Sequence, residues 1–152
     1  MSTVSFVPAD FVPPPSLVTE LFRFEPLGPE HNEADYAAWS SSIEHIRATP
    51  GYPDGDWPTL KGASLEKNLA DMHRHADDFA QCRGFTYTVL DVADGTLIGA
   101  VNAYPSSSDE YDVQIQTWVR ADRAELDAAL AETAEAWFAQ SWPWARRNRY
   151  GR

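Results

Sequence analysis

The sequence predicts a single α+β domain, and three observations carry that expectation. Hydrophobic spacing switches between the period of two that marks strands and the three-to-four spacing that marks helices. An Asp-Gly pair at positions 94 and 95 separates two runs rich in β-branched and aromatic residues, the pattern of a hairpin. The 152 residues are 43% hydrophobic, with six Trp, six Tyr and seven Phe, which is enough apolar surface for one core.

Taken in order, residues 1–20 read as an extended N-terminal arm stiffened by Pro13, Pro14 and Pro15, and residues 21–152 as one domain. Residues 21–27 (LFRFEPL) alternate Phe22 and Phe24 against Arg23 and Glu25, a strand closed by Pro26 and Gly28. A helix is expected from Asn32, a plausible cap, to about Arg47, with Tyr36, Trp39, Ile43 and Ile46 at helical spacing. Residues 49–58 (TPGYPDGDWP) are turn chemistry throughout. A second helix starts at Ser64 as N-cap and carries Leu65, Leu69, Met72, Ala76 and Phe79 on one face.

The hairpin joins strands at 85–92 (FTYTVLDV) and 96–104 (TLIGAVNAY). Residues 111–119 (YDVQIQTWV) alternate cleanly. Tyr111, Val113, Ile115, Thr117 and Val119 take one face; Asp112, Gln114, Gln116 and Trp118 take the other. Asp122 with Glu125 gives a capping-box-like start to a helix from about Arg123 to Gln140, ended by Pro143. Residues 144–152 suit a short final strand.

Composition excludes several classes. No apolar run approaches the ~20 residues of a membrane helix, and residues 1–15 hold no Lys or Arg and no secretory apolar segment. The lone Cys82 rules out an internal disulfide, and a cytoplasmic location is expected. A net charge of -11 repels phosphate backbones, which argues against nucleic-acid binding. Arg146, Arg147, Arg149 and Arg152 form a basic tail that either meets an anion or pairs with the domain's own acidic helices. His73 and His75 are two apart on a helix and cannot chelate together, and His31 and His45 lack partners at metal spacing, so no metal site is expected. There is no phosphate-binding Walker loop, no Gly-x-Ser-x-Gly elbow and no dinucleotide fingerprint.

The order of elements resembles the GNAT family of N-acetyltransferases. Residues 24–39 (FEPLGPEHNEADYAAW) look like that family's opening strand and first helix. Residues 85–101 (FTYTVLDVADGTLIGAV) look like its central hairpin, and residues 111–130 like its fourth strand running through Trp118, Val119 and Arg120 into the cofactor-binding helix. The resemblance spans roughly residues 20–150. It implies a mixed, mostly antiparallel central sheet flanked by helices, truncated at the C-terminal end, with acetyl-CoA as co-substrate and the primary amine of a small molecule as acceptor.

One departure is specific. The family cradles the cofactor pyrophosphate in a loop of the form [Arg/Gln]-x-x-Gly-x-[Gly/Ala], where glycines let backbone N–H groups converge on the anion at a helix N-terminus. Aligned on Arg120, the glycine positions hold Arg123 and Glu125, and Asp122, Glu125 and Asp127 crowd the helix start. Arg120 and Arg123 remain as the cofactor-binding candidates. Asp112 is the candidate catalytic base, by analogy with the carboxylate the family often carries on its fourth strand. Tyr52, Asp54, Asp56 and Trp57 combine aromatic faces with carboxylates, a receptor for an ammonium group, and Gln114 and Gln116 can position a ligand beside them. Two further readings compete with a diverged transferase: a non-catalytic module for a small cationic ligand, and a structural homodimer pairing an open sheet edge.

Overall fold

Alternating runs dominate the middle of the chain, and they pair into one sheet. The computed structural model describes residues 5–53 and 55–152. Its strands are β1 (Leu17–Val18), β2 (Phe22–Pro26), β3 (Phe85–Asp91), β4 (Leu97–Pro105), β5 (Val113–Val119) and β6 (Arg147–Asn148), lying side by side in sequence order. Neighbours are antiparallel except β5 and β6, which run parallel over Val113↔Arg147 and Gln114↔Asn148. The helices are α1 (Asn32–Ser40), α2 (Ile43–Arg47), α3 (Leu65–Ala80) and α4 (Asp127–Ser141), with 3-10 turns at Pro29–His31 and Ala121–Leu126. This is the helix-flanked, mostly antiparallel α+β sheet expected from the sequence.

The period-two pattern decides what each face of the sheet meets. Val113, Ile115 and Val119 join Phe22, Phe24, Phe85 and Tyr87 in an apolar core closed by Leu130, Trp137 and Phe138 of α4. Trp118 points the other way, into a smaller cluster with Trp39, Ile46 and Ala100 under α1 and α2. Between Val89 and Leu90 the β3–β4 register shifts and skips Ile98, so Ile98 and Ala100, two apart on β4, serve opposite cores. Just beyond, β4 and β5 approach so closely that a Cβ on Gly99 would lie 2.1 Å from the Trp118 carbonyl oxygen. The Asp-Gly hairpin turn forms as expected, with Gly95 at φ +74 and the Thr96 N–H donating to Asp94 Oδ1 at 2.9 Å.

The described part of the N-terminal arm is packed on the domain. Phe6 stacks on Trp144 with ring centroids 4.6 Å apart, and the Trp144 indole N–H donates to the Phe6 carbonyl at 2.9 Å. The Tyr87 hydroxyl donates to the Pro14 carbonyl, and β1 adds an edge to β2.

Three local expectations are corrected. The helix expected over residues 32–47 breaks into α1 and α2 at Ser41 and Ser42. The buried Ser42 hydroxyl accepts the Ala121 N–H at 2.8 Å, a tertiary bond that outcompetes helix continuity. The helix α3 does start at Ser64, whose Oγ accepts from the Lys67 N–H at 3.0 Å, and Met72 and Phe79 of its expected face turn inward, but its first turns differ. Leu65 and Leu69 are exposed, whereas Asn68 and Met72 are buried. The expected start of the last helix is not a capping box. Residues Ala121–Leu126 form a 3-10 turn with Arg123 outside helical dihedrals, Asp122 is held by Arg120, and α4 begins only at Asp127.

The tight β4–β5 approach yields a stability test. Gly99→Ala should lower the unfolding free energy by about 2–3 kcal/mol or more, because the atom in the way is backbone. An unchanged urea midpoint would contradict the strand contact.

Candidate active site

The polar inward face of α3 opens a cavity of about 430 Å³ between α1, α3, the 51–57 loop and the sheet. Its walls are aromatic. The Trp57 ring stands 5.7 Å from Trp39, 5.8 Å from Tyr52 and 5.9 Å from Trp118. Its charged lining is mainly acidic, with Asp35, Asp56 and Asp71 against the single guanidinium of Arg74. Aromatic faces and carboxylates around one space suit an organic cation.

Of the residues expected at the site, Tyr52, Asp56, Trp57, Gln114 and Gln116 line this cavity. Asp54 lies outside the described residues. Alternation in β5 delivers Gln114 and Gln116 to the cavity face, and Gln116 Nε2 donates to the Gly51 carbonyl at 2.7 Å, anchoring the loop. Tyr52 is buried, its hydroxyl has no hydrogen-bond partner among the described residues, and burial pushes its ionisation well up.

Asp112 is elsewhere. It sits before β5, and Arg146 holds it through Nη2 at 2.7 Å, Nε at 3.2 Å and the backbone N–H at 3.0 Å. Those hydrogen bonds pull its pKa below the usual carboxylate range, the opposite of what a base needs near neutral pH. Beside Asp56 and Asp71, the cavity is faced by the buried carboxylate of Asp35, a residue that sequence reasoning missed. It sits on α1 one turn before Trp39 and is buried, which raises its pKa to about 6; a hydrogen bond from Asn68 and the charge of His31 offset part of the rise. Asn68 is oriented without ambiguity. Its Oδ1 accepts the Trp39 indole N–H at 3.1 Å, so its Nδ2 donates to Asp35 Oδ2 at 3.3 Å and Asn32 Oδ1 at 2.9 Å.

The glycine-free junction after β5 is closed to an incoming anion. Arg120 is bound to Asp122 through Nη2 at 2.6 Å and Nε at 3.0 Å, and Arg123 pairs with Asp91 and, at 3.4 Å, Asp94. Three of its backbone donors are engaged too. Arg120 N–H bonds Ile98 O at 2.7 Å, Ala121 N–H bonds Ser42, and Arg123 N–H bonds Arg120 O at 2.9 Å. At the first residue of α4, Asp127 binds Arg152, which also donates to Thr117 Oγ1 at 3.2 Å. The junction therefore does not fit a cofactor pyrophosphate. The rest of the basic tail is internally paired as well, Arg146 with Asp112 and Arg147 and Arg149 with Glu135.

Two experiments follow from this geometry. The raised pKa of Asp35 means that the fold favours its protonated form, so its ionisation costs stability as pH rises from about 4 through 6. Relative to wild type, Asp35→Asn should gain up to roughly 3 kcal/mol between pH 4 and pH 7 in urea unfolding. A pH-independent difference would contradict its desolvation. Asp122→Ser should release Arg120 and tighten inorganic pyrophosphate binding about 3- to 10-fold by calorimetry; no change would show that the ion pair is not what closes the junction.

No protein-family model matches this sequence, and no curated protein matches it. Solved structures do match its fold. The ribosomal-protein-S5-alanine acetyltransferase of Vibrio fischeri superposes with a TM-score of 0.60 at 10% identity, covering 82% of this chain and 67% of that one. The microcin C7 self-immunity acetyltransferase MccE, in complex with acetyl-CoA and AMP, gives 0.59 at 8% identity over 82% of this chain and 67% of its own. A Chromobacterium violaceum protein assigned to the GNAT family gives 0.51 at 13% identity over 93% and 71%. With its sheet order, helix placement and these superpositions, the chain has the fold of the GNAT acetyltransferases.

Proposed function

We propose that this chain is a strongly diverged GNAT-type N-acetyltransferase whose best-preserved part is the cavity for the amine acceptor. The carrying observation is that cavity itself, with its aromatic walls and the carboxylates of Asp35, Asp56 and Asp71. A primary amine enters as an ammonium ion, attracted by the acidic lining and the ring faces of Trp39, Trp57 and Trp118. Asp35, ionised above about pH 6, is the group suited to take a proton from that ammonium. Gln114 and Gln116 complete the floor with hydrogen-bonding groups.

Acetyl-CoA is the donor suggested by the structural neighbours. The engaged arginines and backbone amides of the junction imply that this chain holds it weakly, with affinity resting on contacts other than the pyrophosphate. That same closure favours a second reading, a non-catalytic module that binds a small cationic amine on the transferase scaffold.

Calorimetry with spermidine and with acetyl-CoA separates the readings. Both predict that spermidine binds and that Asp35→Asn weakens it about 10-fold or more at pH 7.5. Weak acetyl-CoA binding accompanied by acetylated product supports the transferase; spermidine binding with no acetyl-CoA binding supports the module. Absence of any amine binding would sink the cavity assignment, and micromolar acetyl-CoA affinity would contradict the closed junction.

A further inference from the structure

A chain of hydrogen bonds across the cavity wall determines which ring nitrogen of His75 carries its proton. His75 projects from α3 toward the sheet, and its Nδ1 lies 3.1 Å from both the Tyr104 hydroxyl of β4 and the Thr86 hydroxyl of β3. Each hydroxyl has one proton, and each proton is already placed. Tyr104 donates to Asp78 Oδ2 at 2.9 Å, and that carboxylate also accepts from Arg83 Nε at 3.0 Å. Thr86 donates to Asn102 Oδ1 at 2.8 Å. Neither hydroxyl has a proton left for the imidazole, so Nδ1 must donate to both through their lone pairs. The neutral ring then carries its free lone pair on Nε2.

Resting on the cavity's reading as an amine site, we propose that His75 is its neutral hydrogen-bond acceptor. Tyr104 and Thr86 lock the ring as the Nδ1–H tautomer, so that Nε2 receives an N–H of the bound amine. Burial supports this by pushing the His75 pKa down to about 4, reinforced by the neighbouring Arg74 and only partly opposed by Asp71 and Asp78. Tyr104, the titratable group facing the ring from the sheet, has its own pKa pushed up to about 12 and stays protonated. No imidazolium therefore forms to repel an ammonium between pH 5 and pH 8. An acceptor without charge complements the anionic Asp35: one supplies attraction, the other direction.

The test is a nitrogen-15 imidazole spectrum of the full chain, with and without spermidine. The expected wild-type spectrum shows a pyrrole-type Nδ1 and a pyridine-type Nε2 at His75, unchanged from pH 5 to pH 8, and an Nε2 resonance that moves when spermidine is added. Calorimetry should find His75→Ala about 10-fold weaker for spermidine and His75→Gln within about 3-fold of wild type, since the glutamine amide can replace the acceptor. A protonated Nε2, an imidazolium at pH 6, or unaltered affinity in His75→Ala would overturn this proposal alone. Failure of wild type to bind any amine would instead remove the cavity reading, and the role of His75 with it, while the spectrum would still report the tautomer.

Discussion

The strict alternation of β5 is the constraint on which the rest of the molecule depends. One strand must satisfy two environments, because Val113, Ile115 and Val119 build the apolar core against α4 while Gln114, Gln116 and Trp118 form the floor of the cavity. A slip of one residue would put glutamines into the core and leave valines facing the ligand space. The Gly99–Trp118 approach and the unbroken β4–β5 register, from Gly99↔Val119 to Pro105↔Val113, prevent that slip. Core packing and site construction are thus two consequences of one register.

The cavity and the junction after β5 are built on opposite principles. Around the cavity, polar groups are buried at cost and then oriented: Asn68 by Trp39 and Asp35, Thr86 by Asn102, Tyr104 by Asp78. Such networks are expensive to maintain unless fully satisfied, and here they converge on one space. At the junction, charges cancel within the chain. Arg120, Arg123 and Arg152 each meet an aspartate, and Ser42 takes the Ala121 amide. A helix start that elsewhere would attract an anion has become part of the protein's internal bonding.

Much of this was legible in the sequence, and the misses share a cause. The alternation over residues 111–119, the Asp-Gly turn and the helix starting after Ser64 need only local information, and they identify the sheet and the strand that floors the site. Tyr52, Asp56 and Trp57 stood out because aromatics and acids share one turn-rich loop. Asp35 and His75 did not, since a lone acid and a lone histidine on helices look solvated until tertiary packing turns them inward. The apolar pattern of α3 misled for the same reason: Leu65 and Leu69 advertise a core face, but the helix presents Asn68, Asp71 and His75 to the cavity. Asp112 looked like a strand carboxylate near a site until Arg146, distant in sequence, was brought beside it.

The six tryptophans give the most direct test of the central claim, that the cavity under α1 and α3 is where a cationic amine binds. Trp39, Trp57 and Trp118 line it, whereas Trp137, Trp142 and Trp144 lie in the core on the opposite face of the sheet. In a spermidine titration followed by indole N–H resonances, the first three should shift together with one saturation curve while the other three stay in place. Shifts confined to Trp137, Trp142 and Trp144, or no saturable shift at all, would contradict the account.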